Sequence, residues 1–288
     1  MDSIKSELKM DNGEGMNTLM EEKRSTWQIA LIQGDIKLGD PTRNQAHLKN
    51  RMEIAAAGHV KPDVIVLPEM WNTGYALDKI HEIADPDGDE TRRWVADFAK
   101  CHGIHVIAGS IAELRDKQVF NTMRVFSNTG LEVASYSKIH LFRLMEEEKY
   151  LAPGEEIVSF ELDAVKAGAS ICYDIRFPEL ARSLSLQGAK VLFVSAEWPH
   201  PRLHHWRTLL MARAIENQMY VVACNRTGIS GNDSFFGHSM IIDPWGEIIA
   251  EGGEDEEIIT GTIDLSLVDE VRSRIPVFDD RRPHLYEL

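Results

Sequence analysis

The chain has few cysteines, no long apolar stretch and a shortage of basic residues. Its three cysteines, Cys101, Cys172 and Cys224, stand far apart in 288 residues. They form no CxxC pair and no metal-ligand spacing, which excludes a disulfide framework and fits reduced thiols in a cytosol. No run of ~18 or more apolar residues occurs, so no membrane-spanning helix is expected. Lys and Arg number 31 against 46 Asp and Glu, a net charge of −15. A surface of that sign repels phosphate backbones, so nucleic acid is not an expected partner. Residues 1–26 lack both the apolar core of a signal peptide and the Arg-rich, acid-poor bias of a transit peptide. They read as a disordered leader or tag before a folded domain over residues 27–288. No Pro/Ser-rich linker, internal repeat or low-complexity tract divides that domain. The 43% apolar and 27% charged content is that of a soluble globular protein.

Short β-branched runs alternate with helical patterns in the first and third quarters of the chain, and hairpins occur between and after them. Strands are expected at Gln28–Gln33, Asp63–Glu69, Val106–Ser110, Ile157–Leu162, Ala167–Cys172, Val191–Ser195, Tyr220–Asn225 and Ile258–Asp264. Helices are expected at Asn44–Ala57, Asp89–His102, Pro178–Gln187 and Arg202–Gln218. Hairpins are expected around Ser127–Gly130 and Pro244–Gly246, and an exposed acidic loop over Glu251–Glu257. The pattern predicts an α/β fold of mixed sheets covered by helices on their outer faces.

Cys172 ends an apolar, small-residue strand and is followed by a polar turn and Pro178. α/β folds place their chemistry at such strand ends. A helix start or a nearby cation lowers a thiol's pKa, which is the expectation here. Glu69 and Lys138 also close apolar strands, so the three side chains can converge on one cleft. A thiol nucleophile needs a base and an oxyanion donor, and Glu69 and Lys138 supply those residue types. Taken singly, each has an ordinary reading: a solvated strand end, a surface charge, a small core hydrophobe.

The segments LPEMWNTGY, YSKIHLF and SICYDIRFPEL, in that order, resemble the carbon–nitrogen hydrolase (nitrilase) superfamily. Ser195-Ala196-Glu197-Trp198-Pro199 and Ala212–Asn217 extend the resemblance, which spans residues 27 to about 285. It implies a four-layer αββα sandwich and amide hydrolysis without metal or organic cofactor. It also implies Cys172 as nucleophile, Glu69 as general base and Lys138 as oxyanion stabiliser, acting through a thioester that water then releases. A second active-site Glu falls shortly before a Pro-Gly in many members. By distance from Pro153-Gly154 it is Glu147, with Glu146 and Glu148 left as solvated neighbours. The stretch around Cys172 and the tail IPVFDDRRPHLY resemble the ω-amidase-like branch, including hydrolases associated with methionine salvage in bacilli. The substrate so implied is a small ω-amide such as 2-oxoglutaramate, a product of glutamine-dependent transamination. The alternatives are a nitrile or N-carbamoyl-amine hydrolase with the same triad, or a non-catalytic binding protein on the same fold.

Around the triad, Trp198 is read either as a pocket wall or as packing under the next helix. Arg176 could grip a substrate carboxylate, but a bridge to Asp174 or Glu179 is favoured. Tyr173, beside the nucleophile, joins Trp198 and Arg176 as a substrate-binding candidate. His140, His204 and His205 lack metal-ligand spacing and are read as structural, and Cys224 as core. The family commonly pairs subunits, so a homodimer or larger homo-oligomer in the cytoplasm is expected. Phe278 and Tyr286 in the tail suit an arm across that interface or packing on their own subunit.

Overall fold

The computed structural model describes residues 25–286. The chain runs β1 (Thr26–Gln33), α1 (Pro41–Ala56), β2 (Val64–Val66), α2 (Ile80–Ile83), β3 (Asp85–Pro86), α3 (Asp89–His102), β4 (His105–Arg115), β5 (Gln118–Phe126) and β6 (Glu132–Ser137). It continues with β7 (Ser159–Leu162), β8 (Val165–Ile171), α4 (Pro178–Leu186), β9 (Val191–Ala196), α5 (Leu203–Asn217) and β10 (Tyr220–Asn225). Last come β11 (Thr227–Ser230), β12 (Asp233–Phe236), β13 (Met240–Ile242), β14 (Ile248–Glu251), β15 (Glu257–Asp264) and α6 (Ser266–Arg274). The expected leader lies outside the described residues up to position 24. Its last two residues belong to the fold, since Thr26 opens β1 and the Ser25 carbonyl accepts from Leu265 N.

Two sheets result. One has the order β15-β1-β2-β4-β5-β6, with β3 on β4, and the other β14-β13-β10-β9-β8-β7. Each has a parallel centre, β1-β2-β4 and β8-β9-β10, flanked by antiparallel strands. Period-two alternation assigns the faces. Ile29, Leu31, Val64 and Val66 share a core with Ala169, Ile171 and Val222 of the second sheet. Their alternates Ala30, Ile32, Ile65 and Leu67 pack with Leu48 and Met52 of α1 and Trp94 and Phe98 of α3. Leu180 and Leu184 of α4 and Trp206 and Leu210 of α5 cover the second sheet. The outcome is the αββα layering, with both central strands buried on two faces, as their near-continuous apolar sequences require. None of the described helices is long and apolar enough to cross a membrane.

The β11–β12 hairpin was not expected from the sequence, because Gly228, Gly231 and Asn232 read as loop residues. Phe278 of the tail lies under the guanidinium groups of Arg182 and Arg272 of its own chain, at 5.3 and 5.1 Å. Leu285 and Tyr286 are exposed.

Candidate active site

Glu69, Lys138, Cys172 and Glu197 all stand just past the ends of strands, at one rim where the two sheets meet. Close backbone packing sets each in place. Glu69 lies in a turn beyond β2, rather than in the longer strand the sequence suggested. Its turn presses against β4 at Gly109 (φ +63°), where a Cβ would sit 2.1 Å from the Pro68 carbonyl oxygen. Met70 N donates to Ser110 Oγ at 3.0 Å, and Ser195 Oγ donates to the Leu67 carbonyl at 2.8 Å, tying the turn to both sheets. Lys138 follows β6. Its N–H donates to Asn121 O and its carbonyl accepts from Gly154 N. The Gly154 backbone comes so near Ser137 that a Cβ would lie 2.1 Å from that carbonyl oxygen.

Cys172 follows β8 at φ +46°, a conformation costly for a residue with a Cβ, and opens a 3-10 turn over Cys172–Arg176. Asp174 holds this turn. One of its oxygens accepts from Ile171 N (2.9 Å) and Tyr136 OH (2.6 Å), the other from His140 N (3.1 Å). His140 Nδ1 lies 2.8 Å from that second oxygen, and its ring stacks on Phe177 at 3.6 Å. The Cys172 turn is thereby tied to the segment that carries Lys138.

The polar side chains form one buried cluster. Lys138 Nζ donates to Glu69 Oε1 at 2.9 Å and to Glu147 Oε1 at 2.7 Å. Tyr75 OH lies 2.7 Å from Glu69 Oε1 and 2.6 Å from Glu147 Oε1. Asn121 Nδ2 donates to Glu69 Oε1, and Glu197 N to Glu69 Oε2. Phe142 N donates to Glu147 Oε2 at 2.9 Å. Glu69, Lys138 and Glu147 are fully buried, whereas Glu146 and Glu148 are exposed and Glu146 pairs with Lys149.

Electrostatics follow from that geometry. Burial works against the Glu69 charge, but the Lys138 ammonium and its hydrogen bond hold the carboxyl below its usual range. Burial, with Glu69 as a second negative group, raises Glu147 despite Lys138. Burial also opposes the Lys138 charge, yet Glu147 and Glu69 outweigh it and raise that ammonium well above the ordinary lysine range. The Cys172 thiol, beside Glu69, is pushed well up by burial and by the Glu69 carboxylate, against the pull of Lys138. The lowered thiol pKa expected from the sequence is therefore overturned. Lys138 is already paired with two carboxylates, and its pull on the sulfur is outweighed by burial and by Glu69. The arrangement is a neutral thiol beside an ionised carboxylate, a pair that general-base chemistry could couple.

A narrow pocket opens on the sulfur, lined by Tyr75, Phe142, Tyr173, Arg176, Trp198 and Arg202, among others. Tyr173, Arg176 and Trp198 all line it. Trp198 is buried, not exposed, and satisfies both earlier readings: it walls the pocket and packs on Trp206 of α5 at 5.5 Å. Arg176 makes no bridge to Asp174 or Glu179, contrary to expectation. Asp174 is already used by four donors, and Arg176 instead lies over the Trp198 ring at 4.9 Å with Nη2 3.3 Å from His205 Nδ1. Cys224 is core, its Sγ donating to Ile32 O. Among the described residues no group of His, Cys, Asp and Glu is placed to hold a metal.

Sequence reasoning missed Tyr75, Asn121, Asp174, Glu197 and Arg202. Tyr75 closes the same LPEMWNTGY segment as Glu69, and Asp174 is two residues past Cys172, so both lay within motifs already singled out. Glu197 likewise lay within the Ser195–Pro199 segment, whereas Asn121 and Arg202 carry no local signal and only the fold brings them to the site.

A profile of the carbon-nitrogen hydrolase family matches residues 28–273. The chain belongs to the carbon-nitrogen hydrolase family. It is 50% identical over 260 residues to a 2-oxoglutaramate amidase of Bacillus subtilis (strain 168), covering 90% of this chain and 99% of that protein. It is 33% identical to an omega-amidase of Homo sapiens over 91% of this chain and 97% of that one. The crystal structure of a Saccharomyces cerevisiae member of branch 10 of the nitrilase superfamily superposes with a TM-score of 0.83 at 29% identity, covering 90% and 97% of the two chains. That yeast structure shares the layered fold described above.

Proposed function

We propose that this carbon-nitrogen hydrolase cleaves a small ω-amide of a dicarboxylate, 2-oxoglutaramate, to 2-oxoglutarate and ammonia. The observation that carries the reading is a buried Glu69–Lys138–Cys172 cluster whose cysteine lines a pocket that Arg176 and Arg202 also line. Two guanidinium groups suit the free carboxylate of such a substrate. The similarity to the 2-oxoglutaramate amidase supports the same choice. In the proposed reaction Glu69 takes the Cys172 proton as sulfur attacks the amide carbon. Lys138 and the backbone N–H of Tyr173 stabilise the oxyanion, a contribution of roughly 3–4 kcal/mol per donor. Glu69 returns the proton to nitrogen, the C–N bond breaks, and ammonia leaves a thioester. Glu69 then deprotonates water, which attacks the thioester, and the acid and the thiol are released. Glu147 holds Lys138 in line.

The test is a coupled assay for ammonia and 2-oxoglutarate with 2-oxoglutaramate as substrate, repeated with neutral short amides. Arg176→Met and Arg202→Met should each raise KM for 2-oxoglutaramate by roughly tenfold or more while changing neutral amides little. Turnover of nitriles or N-carbamoyl amines in preference to 2-oxoglutaramate would overturn the assignment.

A further inference from the structure

Glu197 follows β9 and lines the same pocket as Cys172. It is 1% exposed. Its backbone N–H donates to Glu69 Oε2 at 2.7 Å, which fixes it beside the base. Its Oε1 meets Arg226 Nη1 at 3.3 Å. Arg226 is itself fully buried and held by Asp35, Ile36 O, Thr227 O and Ser230 Oγ, so it cannot swing to serve the second oxygen. Glu197 Oε2 is buried and has no hydrogen-bond partner. The oxygens of Glu69 and Glu147 are all engaged, leaving Glu197 Oε2 as the open carboxylate acceptor at this pocket.

We propose that Glu197 distinguishes a carboxamide from a carboxylate, its Oε2 accepting a hydrogen bond from the substrate's –NH2 group. The inference rests on the amide-hydrolysis reading above and adds the residue that recognises the leaving nitrogen. A primary amide offers two N–H donors. Its hydrolysis product offers only negative oxygens to the same position. A buried acceptor without a donor is costly, so the amide relieves an existing penalty and the product adds a repulsion. Burial and the Glu69 charge push the Glu197 carboxyl up to about 8 against the pull of Arg226. A donor seated on Oε2 favours the ionised form that accepts it.

The proposal is tested with Glu197→Met and Glu197→Gln, assayed above the value of about 8 that burial gives Glu197. The substrates are 2-oxoglutaramate and its ω-methyl ester, which presents no N–H; 2-oxoglutarate serves as product inhibitor. Glu197→Met should lower kcat/KM for the amide by roughly tenfold to a hundredfold and leave the ester within roughly threefold. Glu197→Gln removes the charge with little change of shape and should tighten inhibition by 2-oxoglutarate by roughly tenfold. A purely structural role would weaken every ligand together. Equal losses on amide and ester, or product inhibition unchanged or weakened in Glu197→Gln, would overturn the proposal. If Glu197→Met does not fold, the glutamine variant decides alone. If wild type does not hydrolyse 2-oxoglutaramate, the substrate assignment fails on its own. The comparison then runs on whichever linear amide, ester and acid the enzyme accepts.

Discussion

Replacing Lys138 by Met keeps the length of the side chain and removes its charge. In the native site that ammonium lies 2.9 Å from Glu69 Oε1 and 2.7 Å from Glu147 Oε1, all three groups fully buried. Each contact is worth about 6 kcal/mol of Coulomb attraction at an effective dielectric constant of about 20. Most of that offsets the cost of taking the charges out of water. Removing one member of a buried ionic cluster therefore costs about 3–5 kcal/mol, because uncompensated carboxylates remain. For a domain of this size that lowers Tm by on the order of 10 °C. The loss should depend on pH with a definite sign. In wild type Glu69 is held below its usual value, so its contribution is present above the ordinary carboxyl range and lost as pH falls through the lowered value. In Lys138→Met, both Glu69 and Glu147 titrate above the ordinary carboxyl value, and the folded state gains protons as the pH falls. The variant should thus recover stability as the pH falls from neutral towards the ordinary carboxyl range, narrowing its gap to wild type. Activity should not recover, since the proposed oxyanion donor is removed, and kcat should fall by roughly a hundredfold to a thousandfold. Thermal unfolding at several pH values, with kcat measured in parallel, reads both effects. A Tm deficit of equal size at both ends of that range would refute the buried-cluster reasoning.

Two further variants probe the thiol and its turn. Glu69→Gln should lower the pH at which Cys172 becomes alkylated by iodoacetamide, because a negative group beside the sulfur is removed. The same variant should lose activity by roughly a hundredfold to ten-thousandfold, so a more acidic thiol accompanies a poorer enzyme. An unchanged or raised alkylation pH would count against the Glu69–thiol contact. Asp174→Asn replaces an acceptor by a donor facing either Ile171 N or His140 N, so one N–H loses its partner whichever way the amide turns. It should cost about 1–3 kcal/mol in thermal or urea unfolding and lower kcat with little change in KM. Native-like stability would show that the turn does not depend on Asp174.

The periodic parts of the fold were legible in the residues, and the aperiodic parts were not. Asp89–His102 and Tyr220–Asn225 were bounded as the structure has them, because their patterns stop where the chain itself breaks. The hairpin from Thr227 to Phe236 was missed, since its strands are four residues each and its sequence is turn-like throughout. The site divides in the same way. Glu69, Lys138 and Cys172 were found because three reactive side chains each close an apolar run and together resemble a known family. The state of the thiol was misjudged because it depends on what surrounds the sulfur in space: full burial and a carboxylate, rather than a free cation. Arg176 was misassigned for a related reason. Its sequence neighbours Asp174 and Glu179 were the obvious partners, but Asp174 is consumed by nearby Ile171 N and by Tyr136 and His140, which are more than 30 residues away in the chain.

Glu147 shows how a one-dimensional choice acquires a physical basis. Three consecutive glutamates offered no local distinction, and distance from Pro153-Gly154 selected the middle one. The structure puts Glu147 and Glu148 in a 3-10 turn over Glu147–Lys149, with Glu146 just before it in the left-handed region (φ +58°), so the three side chains leave the backbone in different directions and only Glu147 is buried. The Pro-Gly matters because Gly154 N donates to Lys138 O while Gly154 packs against Ser137. That contact anchors the segment that brings Glu147 back to the Lys138 ammonium. The spacing between Glu147 and Gly154 is thus the length of chain needed to reach from the ammonium to the backbone of the same lysine, which is why counting along the sequence picked out the buried residue.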